Sequence, residues 1–388
     1  MKTRKATALV AAILALTSVF CFAACQKETP ELTYQPISGT ISSISKYGNI
    51  ILSTTKAEMH TNGYAFGDVV TVSFAGKTID VPYCESYSDI DTEKTGLFGK
   101  SDDETLTLAV NMGNFAAAYG IADKVTHDDE SFEWVYREGM SKDLTFTITI
   151  KAKRGYYDEY VVRQLSYTNE RTDFKDLTDE QFANFRAVHT TGIKENVLFR
   201  SSSPADPSFN RSAYADAAAR AHGISVVIDL NDDEATLASY EGYGDTYAST
   251  VRHIALNMGV DYTADDFREK LKSCLVFIAE NEGVYLIHCK EGKDRTGFVA
   301  TLLEFLTGAD YDEAEADFML TYYNYYGVTK DDDKYASIVS NEFEKVLLRA
   351  FAADDVKNAD LVKLATDYIK NIGLSDAEIA ALKAHLAA

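Results

Sequence analysis

Hydrophobic and polar positions along the chain change period about a third of the way in. Residues 33 to 151 carry short runs in which apolar and polar side chains alternate, such as Val69-Val70-Thr71-Val72-Ser73-Phe74 and Leu144-Thr145-Phe146-Thr147-Ile148-Thr149-Ile150, separated by glycine-containing turns. A period of two is the pattern of half-buried strands, so this part is expected to be a small, mostly β domain. Helical spacing is seen later in the chain, after the apolar run Val284 to Ile287. The stretch from Gly155 to Asp176 mixes charges and tyrosines without clear helical periodicity and reads as one more strand or a connector. Asp312 to Leu320 reads as a helix, followed by the cluster Tyr322-Tyr323-Asn324-Tyr325-Tyr326, for which core packing is favoured over a cover on a functional site.

The sharpest change of pattern falls between Val284 and Gly308. Val284-Tyr285-Leu286-Ile287 is a short apolar run fit for a buried strand, while Phe298, Leu302, Leu303, Phe305 and Leu306 recur at helical spacing until Gly308 can end the helix. Between them lies His288-Cys289-Lys290-Glu291-Gly292-Lys293-Asp294-Arg295-Thr296-Gly297, a short, bent loop. A loop that enters a helix N-terminus presents unpaired backbone N–H groups to one point, and the helix dipole adds positive potential, so it suits a phosphate dianion. A thiol at the base of such a cradle ionises readily and becomes a nucleophile facing the bound phosphorus. Arg295, six residues after Cys289, can fork two N–H groups onto the phosphate oxygens. Gly292 lets the loop turn, and Gly297 permits close packing.

This string resembles the signature loop of cysteine-dependent protein tyrosine phosphatases, in the form found in the bacterial branch of IphP-like and mycobacterial secreted tyrosine or lipid phosphatases. The similarity runs on through Asn196-Val197-Leu198-Phe199-Arg200-Ser201-Ser202, through Gly223-Ile224-Ser225-Val226-Val227-Ile228-Asp229-Leu230, and through the tail Asn371-Ile372-Gly373-Leu374-Ser375-Asp376-Ala377-Glu378. Asn231 departs from the family's usual arginine. Ser375 and Glu378 are spaced for a capping box. The resemblance implies an α/β cysteine-phosphatase fold, a central mixed sheet flanked by helices, over residues 176 to 388. It also implies two in-line displacements through a cysteinyl-phosphate, with no metal or cofactor. Cys289 and Arg295 are then catalytic, and His288, Lys290, Glu291, Gly292, Lys293 and Thr296 are expected around the substrate. His288 would orient the loop and Thr296 would hydrogen-bond the sulfur, although each has a purely structural alternative. For the acid that protonates the leaving oxygen, Asp294 is the first choice and Asp229 the second. Asp261, Asp265 and Asp266 are the third candidates, as part of a mobile acid loop like that of the classical phosphatases, although for each of them a solvated surface charge is the favoured reading. Lysine at both 290 and 293 resembles lipid phosphatases, which places phosphoinositides beside phosphotyrosine among the expected substrates, with Lys290 and Lys293 as cations at the rim. The alternative is a non-catalytic protein that uses the same fold to hold phosphorylated ligands.

Composition adjusts this picture in three ways. With 38 Lys and Arg against 60 Asp and Glu, the net charge is -22, which argues against nucleic acid as a partner and makes any phosphate site local. The five cysteines imply no disulfide framework, and Cys84 and Cys274 read as simple core or surface thiols. Lys2, Arg4 and Lys5 precede an apolar run over residues 6 to 24 that reads as a signal peptide, and Phe22-Ala23-Ala24-Cys25 resembles the lipobox of bacterial lipoproteins. Lipidation of Cys25, or ordinary cleavage and secretion, would put the folded protein outside the cytoplasm, in the first case membrane-anchored in the cell envelope. Finally, Tyr47-Gly48-Asn49-Ile50, Gly67-Asp68-Val69-Val70-Thr71-Val72 and Leu106 to Ala116 resemble the C-terminal β domain of S-adenosylmethionine hydroxide adenosyltransferases, which implies binding or scaffolding for that half.

Overall fold

The computed structural model describes residues 34–388, so the signal segment and Cys25 lie outside the described residues. The alternating runs of the first domain assemble into an eight-stranded sheet. Its order is Ile37–Gly39, Phe146–Ala152, Val69–Phe74, Lys77–Cys84, Thr95–Phe98, Thr105–Val110, Ile50–Thr55 and Ile41–Ile44. Neighbours are antiparallel except Lys77–Cys84 with Thr95–Phe98. Val70, Val72 and Phe74 are buried while Val69, Thr71 and Ser73 are half-buried, the register that the alternation predicts. The buried set packs with Leu106, Leu108, Phe115 and Phe146. The hairpin between Phe74 and Lys77 turns on Ala75 and Gly76, both at positive φ (46° and 73°), the handedness that matches strand twist in a two-residue loop.

The stretch after this domain is neither strand nor plain connector. Tyr157–Arg163 forms a helix, with Tyr156 and Tyr160 against the β domain and Val162 and Leu165 against the core of the second domain. Its periodicity was hidden because both sides of the helix are covered, each by a different domain.

The second domain is built on a five-stranded sheet ordered Arg186–Ala187, Leu198–Ser201, Tyr285–His288, Val226–Asp229 and Arg252–Ala255. The first pair is antiparallel and the rest are parallel. The central strand, Tyr285–His288, is buried at every position because helices cover both faces, which is why it reads as a continuous apolar run. Ala215, Ala218 and Ala219 of the helix Ser212–Ala221 lie on one face against Phe199, Val227 and Leu286. The helices Asp265–Glu280, Asp294–Thr307, Leu361–Asn371 and Asp376–Leu386 contribute to the core on the other. Asp294–Thr307 is buried along nearly its whole length and ends at Gly308, which adopts φ 119°. The predicted capping box forms, with the Glu378 carboxylate 2.6 Å from the Ser375 amide nitrogen. The tyrosine cluster extends its helix rather than following it: the helix runs Tyr311–Tyr326 and stops at Gly327. Tyr322 and Tyr325 are buried, so packing overrides the modest helix propensity of tyrosine.

Candidate active site

Parallel strands deliver their C-terminal ends to one edge of the sheet, where ligands of open α/β folds bind. Here that edge holds Ser201, His288 and Asp229 side by side in register. Cys289 follows directly and is 3% exposed, at the floor of the loop. The backbone amides of residues 290 to 293 donate to no acceptor among the described residues, and the next two amides open the helix Asp294–Thr307. A run of inward-turning free N–H groups around a thiol is an anion cradle.

The loop holds this shape because its outer side is fastened. Gly292 sits at φ 71°, and a Cβ there would lie 2.2 Å from the Ser201 carbonyl oxygen, so only glycine fits. Its own carbonyl accepts from Arg200 Nη2 at 3.0 Å and from Asn184 Nδ2 at 3.3 Å. The Glu291 carbonyl accepts from Asn184 Nδ2 (3.1 Å) and from the Tyr325 hydroxyl (2.9 Å). The Lys290 carbonyl accepts from the Ser203 amide at 3.0 Å. Carbonyls pulled outward leave the amides facing in. Arg200 is 1% exposed and bonds Asp317 Oδ2 at 2.6 Å, and Asp317 also binds Arg186 Nε at 2.8 Å. These two guanidiniums and their hydrogen bonds hold the Asp317 carboxyl below its usual range against the burial that would raise it. Glu304, nearby and wholly buried without a hydrogen-bond partner, is pushed the other way by burial and by Asp317.

The sequence-predicted residues meet here, with changes of role. Arg295 rests on the Leu230 and Met258 carbonyls (3.3 and 3.1 Å) and on Asn231 Oδ1 at 2.9 Å. Asn231 therefore supplies a neutral rest for the guanidinium where a second arginine would repel it. The Thr296 hydroxyl is buried with no partner among the described residues, so the expected bond to the sulfur is not formed here. His288 Nδ1 lies 3.8 Å from Asp229 Oδ1, beyond hydrogen-bond reach. Asp229 is 2% exposed and its Oδ1 accepts from the Asn231 and Asp232 amides at 2.7 and 3.1 Å, so it braces the turn beneath the loop. Asp294 is more open, its side chain 39% exposed, and bonds Lys293 Nζ at 2.6 Å.

That ion pair corrects one expectation. Lys293 is not a free rim cation: its side chain is 14% exposed, beside Tyr322, and although burial works against its charge, Tyr322 and Asp294 hold its pKa well above the ordinary lysine value. Lys290 is half-exposed, 3.4 Å from the buried Asp206. Glu291 turns its carboxylate away to the Tyr167 hydroxyl. Asp261 is fully exposed and kept below the usual carboxylate range by Thr263, first by its hydroxyl and then by its amide, while Asp265 and Asp266 are exposed in the first turn of their helix. All three are surface charges, as read. Cys84 and Cys274 are buried core thiols, and burial pushes Cys274 up to about 12.

Sequence reasoning missed several contributors. Asp232 is buried beside Asp229, and burial followed by the Asp229 charge raises its pKa. Arg211 is wholly buried, reaches Asn169 and the carbonyls of Thr168 and Phe182, and lies 4.0 Å over the Tyr325 ring, tying residues 167 to 169 to the loop's support. Its only sequence signal was an arginine opening an alanine-rich helix.

A thiol at the base of an amide-lined loop, with an arginine six residues on and parallel strands behind it, defines a cysteine-loop phosphatase domain. The chain belongs to the tyrosine phosphatase family, whose profile matches residues 174–388. Residues 39–126 match the S-adenosylmethionine hydroxide adenosyltransferase C-terminal domain. No curated protein matches the chain. Among solved structures, TpbA of P. aeruginosa is similar at 21% identity over 47% of this chain and 96% of that one, with a TM-score of 0.27. The core catalytic domain of the PP-IP phosphatase SIW14 from S. cerevisiae is 15% identical over 44% of this chain and 91% of that one, with a TM-score of 0.26. An uncharacterized conserved protein from Thermotoga maritima is 16% identical over 29% of this chain, with a TM-score of 0.23, and the match spans only 35% of that protein's length.

Proposed function

We propose that the protein is an extracytoplasmic, cysteine-dependent phosphatase that hydrolyses phosphomonoesters, phosphotyrosine or phosphoinositide, through a cysteinyl-phosphate. The observation that carries this reading is the set of free amides at 290 to 293 around Cys289, with Arg295 on the same loop. The Cys289 thiolate attacks phosphorus, the bond to the leaving oxygen breaks, and a carboxyl group gives that oxygen a proton. Water then attacks the phosphorus, returns a proton to the carboxylate and releases Sγ. Arg295 leaves its carbonyl rests and binds two phosphate oxygens through both steps. Asp294 is the proposed proton donor, since Asp229 is held beneath the loop by two amides.

Asp294→Asn tests the last point. The expected result is a loss on the order of a hundredfold in kcat on an alkyl phosphate, with less than about threefold on an activated aryl phosphate that departs unprotonated. Equal losses on both would reassign Asp294 to loop structure.

Location is proposed from the N-terminal segment. Lipidated at Cys25, the mature protein partitions with membranes, and Cys25→Ser releases it, because acyl chains supply the anchoring. Wild-type protein found wholly in the soluble fraction would overturn the anchor. Among the described residues no helix is long and apolar enough to cross a membrane.

A further inference from the structure

Glu291 is an anion inside a loop suited to binding anions. It stands two residues after Cys289, and its amide is one of those left free at the cradle. A carboxylate turned toward that cradle would repel a phosphate dianion through a short, partly buried distance, where charges are poorly screened. Asp294, in the same loop, is compensated by its ion pair with Lys293, whereas Glu291 has no ion pair among the described residues. Its carboxylate has one hydrogen-bond donor among them, the hydroxyl of Tyr167.

Tyr167 comes from the segment that joins the two domains, four residues beyond the end of the helix Tyr157–Arg163. That segment is fastened where it passes the loop. Arg211 donates from Nη2 to the Thr168 carbonyl at 3.1 Å and from Nε to Asn169 Oδ1 at 3.0 Å, and Asn210 Nδ2 reaches Glu170 Oε1 at 3.1 Å. The Tyr167 ring meets Tyr325 edge-on with centroids 4.8 Å apart, and Tyr326 at 5.5 Å. Tyr325 in turn donates its hydroxyl to the Glu291 carbonyl at 2.9 Å. One residue of the loop is thus gripped twice, its main chain by a tyrosine of the catalytic domain and its side chain by a tyrosine of the connector, and the two rings brace each other. Burial, and then the bond to Glu291, push the Tyr167 phenol above its ordinary pKa, so the hydroxyl keeps its proton and stays a donor. Its acceptor is ionised, which makes this the stronger kind of hydrogen bond.

We infer that Tyr167 is a positioning residue of the phosphate site: by holding the Glu291 carboxylate on the outer side of the signature loop, it keeps that charge away from the bound phosphate. The inference rests on the phosphatase reading and adds to it a residue outside the stretch 174–388 that the family profile matches. The catalytic unit then begins in the connector, and the electrostatics of the loop depend on a segment continuous with the helix between the domains.

The test is a double-substitution cycle in the full chain, read as kcat and KM on a generic aryl phosphate and as the Kd of inorganic phosphate. Tyr167→Phe keeps the ring and its packing and removes only the hydroxyl. It is expected to raise KM and the phosphate Kd about tenfold with kcat changed less than about twofold, because a nearby anion weakens substrate and transition state alike. In a Glu291→Gln background the same tyrosine substitution should change neither constant by more than about twofold, since no charge is left to hold. A loss of equal size in both backgrounds overturns the inference and assigns the hydroxyl to packing. So does a Tyr167→Phe protein with wild-type KM and Kd, or one that loses kcat at constant KM, the mark of a disordered loop rather than of a misplaced charge. Should wild type bind phosphate without turning over the aryl ester, the phosphatase reading fails, and the phosphate Kd across the same cycle decides the positioning alone. A wild type that binds no phosphate sinks both.

Discussion

Cys289→Ser is expected to abolish turnover of an aryl phosphate by a factor on the order of a thousand or more while still binding phosphorylated ligands. A serine hydroxyl has the size for the site, but it does not ionise near neutral pH, so the attack on phosphorus lacks its electron pair. The cradle is untouched, because the free amides at 290 to 293 belong to the backbone and their orientation is set by Arg200, Asn184, Ser203 and Tyr325 from outside the loop. Arg295→Ala removes a ligand of the phosphate as well as a stabiliser of the transition state, so it should lose both turnover and binding. Stopped turnover with retained binding by the serine variant, measured by calorimetry with phosphotyrosine, separates the two roles. Appreciable turnover by the serine variant would sink the covalent mechanism. Binding at wild-type strength by the alanine variant would remove Arg295 from the phosphate site.

The largest effect on stability is expected at Arg200, a residue that does no chemistry. Its guanidinium is 1% exposed, bonds Asp317 at 2.6 Å and supports the Gly292 carbonyl at 3.0 Å. Arg200→Ala leaves a cavity under the loop and removes one of the two cations that balance Asp317 beside the unpartnered Glu304. Removing one partner of a buried ion pair costs about 3–5 kcal/mol. Urea unfolding should show that loss as a lower midpoint at an unchanged slope. The phosphate site should weaken as well, since the carbonyl that Arg200 pulls outward becomes free to rotate inward against the anion. A variant as stable as wild type would mean that water replaces the guanidinium and that the network is not a support for the loop.

These two positions differ in how far the sequence announced them. The residues of the loop were legible because they are contiguous: a strand, ten residues and a helix bring thiol, amides and guanidinium together through local geometry. The supports of that loop come from far along the chain. Asn184 and Tyr325 bond it over separations of 107 and 34 residues, Arg186 and Asp317 pair behind it across 131, and nothing in their own neighbourhoods marks them. Arg200 was visible within a family-like segment, yet its bond to Asp317 was not. Lys293 shows the same limit from the other side. Its position suggested a cation at the rim, and only the packing of Tyr322 and the turn of Asp294 show it to be spoken for.

The sequence by itself determined the two periods, the order of strands and helices around the loop, and the chemistry available in it, since each depends on residues near one another in the chain. The tertiary structure alone decided which carboxylate is braced and which is open, which lysines are committed, and that a helix packs between the two domains. Those outcomes depend on which side chains meet across elements. Charge pairing and burial act through space, and the pattern along one chain carries no record of the distance between two of its distant points.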